Sequence, residues 1–144
     1  MRTAPAMPAN RLKKRLVDCP LRIRQWVCVA HLALIAVLSL LPAWVFPPSP
    51  AGVPGIDKAV HVAMYGVLGA LLRWAAGPWA TTRAARWLPL AGAAYGLLME
   101  VLQPWIGGAG RSFSWGDAAA NLAGVGLFWL AAGRVLGREN RPDR

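Results

Sequence analysis

A stretch without a single charged side chain, from Gln25 to Ile56, constrains this chain more than any other feature of its sequence. Within it, the apolar run 26–46 would extend about 31 Å as an α-helix, which matches the hydrocarbon thickness of a bilayer. The run is longer than the apolar core of a signal peptide, and the segment Ser49-Pro50-Ala51 after it is a poor cleavage site. The sequence therefore predicts a first transmembrane helix and disfavours the alternative, a cleaved signal peptide.

The rest of the chain is also too apolar for an ordinary soluble domain. Of its 144 residues, 56% are apolar and 15% are charged, whereas about a quarter of a globular chain is charged. Three further apolar segments, at about 59–76, 87–105 and 117–136, have the length of membrane helices. We therefore expect an all-α, polytopic membrane protein. Its four-helix domain, residues 26–136, would lie between a basic tail at 1–25 and a short tail at 137–144.

The distribution of basic residues predicts the orientation of these helices. Fourteen of the 16 Lys and Arg residues fall in the N-terminal tail, around the second connector or at the C-terminal end. Only Lys58 and Arg111 fall on the opposite side. Because basic segments stay in the cytoplasm, we expect both termini there and the first and third connectors outside. The net charge of +10 is then a topology signal, and it does not indicate nucleic-acid binding.

Polar side chains gather at the predicted outer ends of three helices. Asp57 and His61 share one face of the second span, and Asp117 and Asn121 repeat that spacing in the fourth. Glu100 lies inside the third span, where an acid is energetically expensive and normally has a partner or a function. The sequence therefore predicts one polar cluster near the outer boundary of the membrane.

This end of the protein favours an anion. The second and fourth spans direct their N-termini outward beside Lys58 and Arg111, and helix N-termini attract negative groups. A phosphate or pyrophosphate headgroup would suit such a place. Four residues are candidates for general acid–base catalysis or for holding a divalent cation: Asp57, His61, Glu100 and Asp117.

Each of these residues also has a structural interpretation. Asp57 suits a cap of the second span, and Ser114 with Asp117 fits a capping box at the start of the fourth. His61 and Tyr65 can pack in the interior. Glu100 can form a structural ion pair with Lys58 or Arg111. The sequence leaves these alternatives open.

The order of the polar residues resembles that of the VanZ-like membrane proteins. The resemblance covers about residues 56–130 and implies a small multi-pass protein of the bacterial inner membrane, related to one linked to teicoplanin resistance. It implies no established reaction. The third connector departs from the family, with Gly107-Gly108-Ala109-Gly110 in place of a proline-bearing loop. The residues that carry the resemblance are Asp57, Lys58, His61, Tyr65, Glu100, Gln103, Arg111, Ser112, Asp117, Asn121 and Gly124.

We therefore expect an outward-facing site that binds or processes an anionic lipid or envelope precursor, with a role like that in glycopeptide resistance. The residues expected to contact the ligand are Lys58, Tyr65, Gln103, Arg111 and Asn121. Whether the protein is an enzyme stays open. The alternative is a non-catalytic accessory or scaffold subunit whose polar cluster only fixes the helix geometry. A proton-coupled transporter is disfavoured, because acids at one end of four short spans provide no relay to the cytoplasm.

Overall fold

A computed structural model describes residues 9–45, 55–108 and 110–136, and every regular element in these ranges is helical. The expected all-α class is therefore confirmed for the described residues. The predicted tail at 137–144 and the first eight residues of the N-terminal tail lie outside them. The α-helices are α1 (Ala9–Asp18), α2 (Leu21–Leu40), α3 (Ile56–Ala76), α4 (Leu88–Ile106) and α5 (Trp115–Leu136), with short 3₁₀ turns at Ala43–Val45, Gly77–Thr81 and Ala84–Trp87.

Among the described helices, α2, α3 and α5 are long and apolar enough to cross a membrane. Large apolar side chains on them, such as Leu127 and Leu130, are exposed on the outer surface of the protein, which suits a lipid surrounding. Helix α4 is apolar over most of its 19 residues. It is not among these three candidate spans, and it carries Glu100, Gln103 and two prolines.

The first span differs most from its predicted position. Helix α2 begins at Leu21, directly after Pro20, and ends at Leu40 because Pro42 disfavours helix in the residue before it. It is therefore displaced toward the N-terminus from the predicted 26–46. The prediction treated the apolar run as the helix, but Arg22 and Arg24 are also helical, and such long side chains can reach polar surroundings from inside a helix.

The remaining spans lie close to their predicted positions. Helix α3 begins at Ile56 rather than 59, after Gly55 with φ of 78°, a backbone conformation that glycine adopts at little cost. Helices α4 and α5 begin and end within one or two residues of the predicted 87–105 and 117–136. Helix α1 lies in the segment predicted only as a basic tail, and the indole Nε1 of Trp74 donates to the Leu16 carbonyl at 2.7 Å.

Helices α3 and α5 form the closest pair in the protein. A β-carbon built on Gly124 would lie 2.5 Å from the Val62 carbonyl oxygen, and one on Gly69 would collide with the backbone of Val125. Such close approach at small residues stabilises helix association in lipid, where little hydrophobic driving force exists. The close contacts between these two helices lie at Gly124 of α5 and at Gly69 of α3.

Polar bonds tie α2 to its neighbours. The Tyr95 hydroxyl on α4 donates to the Leu32 carbonyl at 2.7 Å, and His31 Nε2 lies 3.0 Å from the Met64 carbonyl oxygen on α3. At one end of the protein, contacts of His61 with Asn121 and Glu100 and of Arg111 with the Leu38 carbonyl bring the C-terminal ends of α2 and α4 beside the N-terminal ends of α3 and α5. We call this the polar end and the opposite one the basic end.

Candidate functional site

The centre of the polar end is built by side chains from three helices. His61 lies in the second turn of α3, Glu100 near the end of α4, and Asn121 in the second turn of α5. His61 Nδ1 lies 2.9 Å from Asn121 Oδ1 and 3.7 Å from Glu100 Oε1. The structure brings these three residues together, as the sequence predicts.

Glu100 is the most deeply placed acid of this group. Its side chain is 1% exposed, and its Oε2 has no hydrogen-bond partner. The titratable side chains described around it are His61, Asp117 and Tyr65. A buried carboxylate oxygen without a donor is unfavourable by about 1–3 kcal/mol, so this arrangement is not one that stability alone would select.

A glycine on α4 makes room for the cluster. A β-carbon on Gly96 would lie 2.9 Å from Tyr65 Cε1 and 3.0 Å from Asn121 Cβ. Because Gly96 has no side chain, α4 approaches closely enough for Glu100 to reach His61. The sequence alone does not single out Gly96 as the residue that lets α4 approach, since small residues at this spacing are common in membrane helices.

Asp57, Lys58 and Asp117 form the solvent-facing rim of the cluster. Lys58 Nζ lies 2.9 Å from Asp57 Oδ2 and 3.7 Å from Asp117 Oδ1. Lys58 and Asp57 are about half exposed, whereas the Asp117 side chain is 17% exposed. Lys58 is therefore the cation at the exposed opening of the site, which we call the mouth, and Asp117 is the less exposed acid beneath it.

The capping interpretation is confirmed for Ser114. Ser114 Oγ accepts from the Asp117 backbone N–H at 3.2 Å and so caps α5. At the start of α3 the Asp57 carboxylate pairs with Lys58. Asp117 Oδ1 is buried and has no hydrogen-bond partner among the described residues, because this carboxylate faces the cluster.

Arg111 lies beside the cluster and binds the end of α2. Its Nε donates to the Leu41 carbonyl at 3.1 Å, and its Nη2 donates to the Leu38 carbonyl at 3.2 Å. These carbonyls belong to the last turn of the helix, where a cation is favourable. Gly107 leaves the space, since a β-carbon there would lie 2.8 Å from Arg111 Cγ. The first glycine of the connector, Gly107, therefore leaves room for the Arg111 side chain.

The two remaining candidates lie in the interior. Tyr65 is fully buried, and its ring lies parallel to that of His61 at a centroid distance of 6.5 Å. Gln103 is buried one turn after Glu100. Ser39 of α2, buried beside the Tyr65 side chain, was missed because a single serine in an apolar run carries no periodic signal.

The cluster offers proton donors and acceptors along one path from the surface inward. The His61 side chain is 16% exposed, which gives it access to a group at the mouth, and Glu100 lies behind it. An imidazole between a ligand and a buried carboxyl is a common arrangement for general acid–base work. No protein-family model, curated protein or solved structure matches this chain. The resemblance to VanZ-like proteins therefore stays a prediction.

Proposed function

We propose that this chain is a four-span, VanZ-like protein of the bacterial inner membrane, whose polar end faces outward and binds the anionic headgroup of a lipid or envelope precursor. The observation that carries the proposal is the buried Glu100, grouped with His61 and Asp117 from three different helices. Acids inside the apolar zone of a membrane are normally functional. A role in glycopeptide resistance is part of the proposal by resemblance alone.

Exposed tryptophans support the membrane position. Six of them are at least 69% exposed and lie toward the helix ends, where tryptophan is favoured at membrane–water interfaces. Three belong to each end of the protein, so two aromatic belts bracket the apolar surface. The six are Trp26, Trp79 and Trp87 at the basic end, and Trp44, Trp105 and Trp115 at the polar end.

Charge supports the orientation and the fourth span. Arg73, Arg83, Arg86 and Arg134 all lie at the basic end, which the positive-inside rule places in the cytoplasm. Helix α4 packs among the three longer helices, and its Glu100 lies beside the start of α3. We infer that α4 crosses the membrane with them, its polar residues facing the protein interior.

Cysteine labelling tests this topology with two exposed positions. In a chain whose native Cys19 and Cys28 are replaced by serine, we expect Ser112→Cys at the polar end to react with a membrane-impermeant maleimide in spheroplasts. Thr82→Cys at the basic end should react only after the membrane is permeabilised. The opposite pattern, or equal labelling of both, would contradict the orientation.

The electrostatics of the rim support an anionic ligand. Helices α3 and α5 both begin at the polar end, so their free N–H groups and positive dipole ends meet near Lys58. Lys58 is about half exposed, and a headgroup at the mouth can reach it without moving the buried cluster. A phosphate placed there would also lie within reach of His61, which can act on it as an acid or base.

Native mass spectrometry in mild detergent tests ligand retention. We expect the wild-type protein to keep a phosphate-bearing lipid, and we expect Lys58→Gln with Arg111→Gln to lose it, because both cations of the polar end are gone. The matched control is Arg83→Gln with Arg86→Gln, which removes two exposed cations from the basic end. This control should retain the lipid.

Two results would overturn the proposal. If the wild type, correctly folded, retains no lipid, the polar end is not a lipid site, and copurification of a stable partner would then favour the accessory-subunit alternative. If both double variants lose the lipid equally, the retention reflects general attraction of basic proteins to anionic lipid.

A further inference from the structure

His61, Glu100 and Asp117 are arranged closely enough to hold one ion. Each offers one ligand atom, and these atoms all lie within 4.8 Å of one another. Around a metal with ligands at about 2.1 Å, adjacent ligand atoms are about 3.0 Å apart and opposite ones about 4.2 Å. In a tetrahedral site the same bond length gives about 3.4 Å, so the ligand atoms would have to close by roughly half an ångström around an octahedral ion and by roughly 1.4 Å around a tetrahedral one.

The unsatisfied oxygens point independently to a missing positive group. Glu100 Oε2 belongs to a side chain that is 1% exposed, and it has no hydrogen-bond partner. Asp117 Oδ1 is also buried without one. Two carboxylate oxygens that face each other's charge across a buried cluster are unfavourable unless a cation or a proton lies between them.

Lys58 satisfies that requirement only in part. Its Nζ lies 2.9 Å from Asp57 Oδ2 and 3.7 Å from Asp117 Oδ1, so it is shared between two acids. A divalent ion between Glu100 and Asp117 would supply further positive charge inside the cluster.

The donor set indicates the kind of metal. One imidazole nitrogen with two carboxylates suits Zn²⁺ or Mn²⁺, whereas Mg²⁺ and Ca²⁺ prefer oxygen alone. We infer that His61, Glu100 and Asp117 form a site for Zn²⁺ or Mn²⁺, with open coordination positions toward the mouth.

This inference adds a metal to the proposed function and does not depend on which headgroup is bound. Three protein ligands leave positions for water or for a phosphate oxygen. The ion would also remove the conflict between an anionic ligand and the carboxylates around it, because its charge offsets theirs. Metal binding can be measured without any lipid, so the two proposals can fail separately.

Metal content of the full-length protein in detergent tests the site. After treatment with a chelator, the wild type is titrated with Zn²⁺ alone, and bound metal is measured by calorimetry and elemental analysis. We expect one ion per chain. Glu100→Gln should weaken binding by more than the roughly 10- to 100-fold that loss of an outer-shell partner costs. Asp18→Asn, which removes an exposed acid on α1, should bind as the wild type does.

Spectroscopy on the unaltered protein covers the case in which Glu100→Gln does not fold. With Mn²⁺ bound, electron spin echo modulation should show coupling to the ¹⁴N of one imidazole, and His61→Gln should lack it. A wild type that binds no stoichiometric Zn²⁺ or Mn²⁺ would overturn the inference. So would a folded Glu100→Gln with wild-type affinity, or bound Mn²⁺ without nitrogen coupling.

Discussion

Replacing Gly124 with leucine is expected to remove most folded protein from the membrane, whereas leucine at Gly126 should leave it intact. At Gly124 even a β-carbon would lie 2.5 Å from the Val62 carbonyl oxygen and 2.9 Å from the Gly66 nitrogen. These are backbone atoms of α3, so they cannot move aside as a flexible side chain would. Overpacking usually costs about 1–3 kcal/mol, and a collision between two helix backbones should exceed the upper end of that range.

Gly126 is the matched control because it lies in the same helix and a β-carbon there meets nothing within 4 Å. Leucine is favoured over glycine in a helix by about 0.5–1 kcal/mol, so this variant should be as stable as the wild type. The measurement is the amount of monodisperse protein after extraction in mild detergent, together with its thermal midpoint. Equal yields and midpoints for the two variants would contradict the close contact between α3 and α5.

Replacing Glu100 with methionine is expected to stabilise the protein by about 1–3 kcal/mol. Glu100 is 1% exposed, one of its carboxylate oxygens has no partner, and its ion-pair contact with His61 is long at 3.7 Å. Apolar replacement of a whole buried ion pair is often neutral or stabilising, and here the contact with His61 is too long for much pairing energy to be lost with the carboxylate. A residue that lowers stability in this way and lies in a polar cluster is one that function requires.

The free energy of unfolding in detergent, measured with a chelator present, checks this prediction. The chelator removes any bound metal, which would otherwise stabilise the wild type through Glu100. Leu102→Met on the same helix is the control, since it introduces methionine without changing a charge and should alter stability by less than about 1.5 kcal/mol. If Glu100→Met is destabilised by several kcal/mol instead, the cluster is a structural ion pair, as the accessory-subunit alternative requires.

The helical class and the meeting of the polar residues could be predicted from the sequence. Alternating spans bring the end of one helix beside the start of the next, so Glu100, His61 and Asp117 had to share one end of the protein. Their side-chain spacing on each helix then placed them at similar depth. The structure confirms the grouping, while the number of spans and the orientation remain proposals.

The partners of individual side chains could not be predicted. Arg111 was a candidate partner for Glu100, and in the structure its Nε and Nη2 donate to the α2 carbonyls, because helix C-termini present acceptors that carry no sequence signature. Helix α2 is displaced toward the N-terminus from the predicted 26–46 for a related reason. Hydropathy marks where a helix is apolar, whereas prolines at 20 and 42 decide where it begins and ends.

The contacts between helices could not be predicted either. The sequence contains small residues at many positions, and only the structure distinguishes Gly69, which contacts the α5 backbone, from Gly126, which faces open space. Ser39 joins the polar interior from α2 for a similar reason, since burial against Tyr65 depends on how α2 and α3 are rotated.

The central claim, that the polar end binds an anionic lipid headgroup, is tested most directly by calorimetric titration of the purified protein with farnesyl phosphate and with farnesol. We expect saturable binding of the phosphate at one site per chain and none of the alcohol. Lys58→Gln should weaken that binding by about 10-fold or more, as expected for loss of a charge-assisted contact. Lys14→Gln, an exposed position on α1, should not change it. Equal binding of the phosphate and the alcohol, or an unchanged affinity in Lys58→Gln, would contradict the claim.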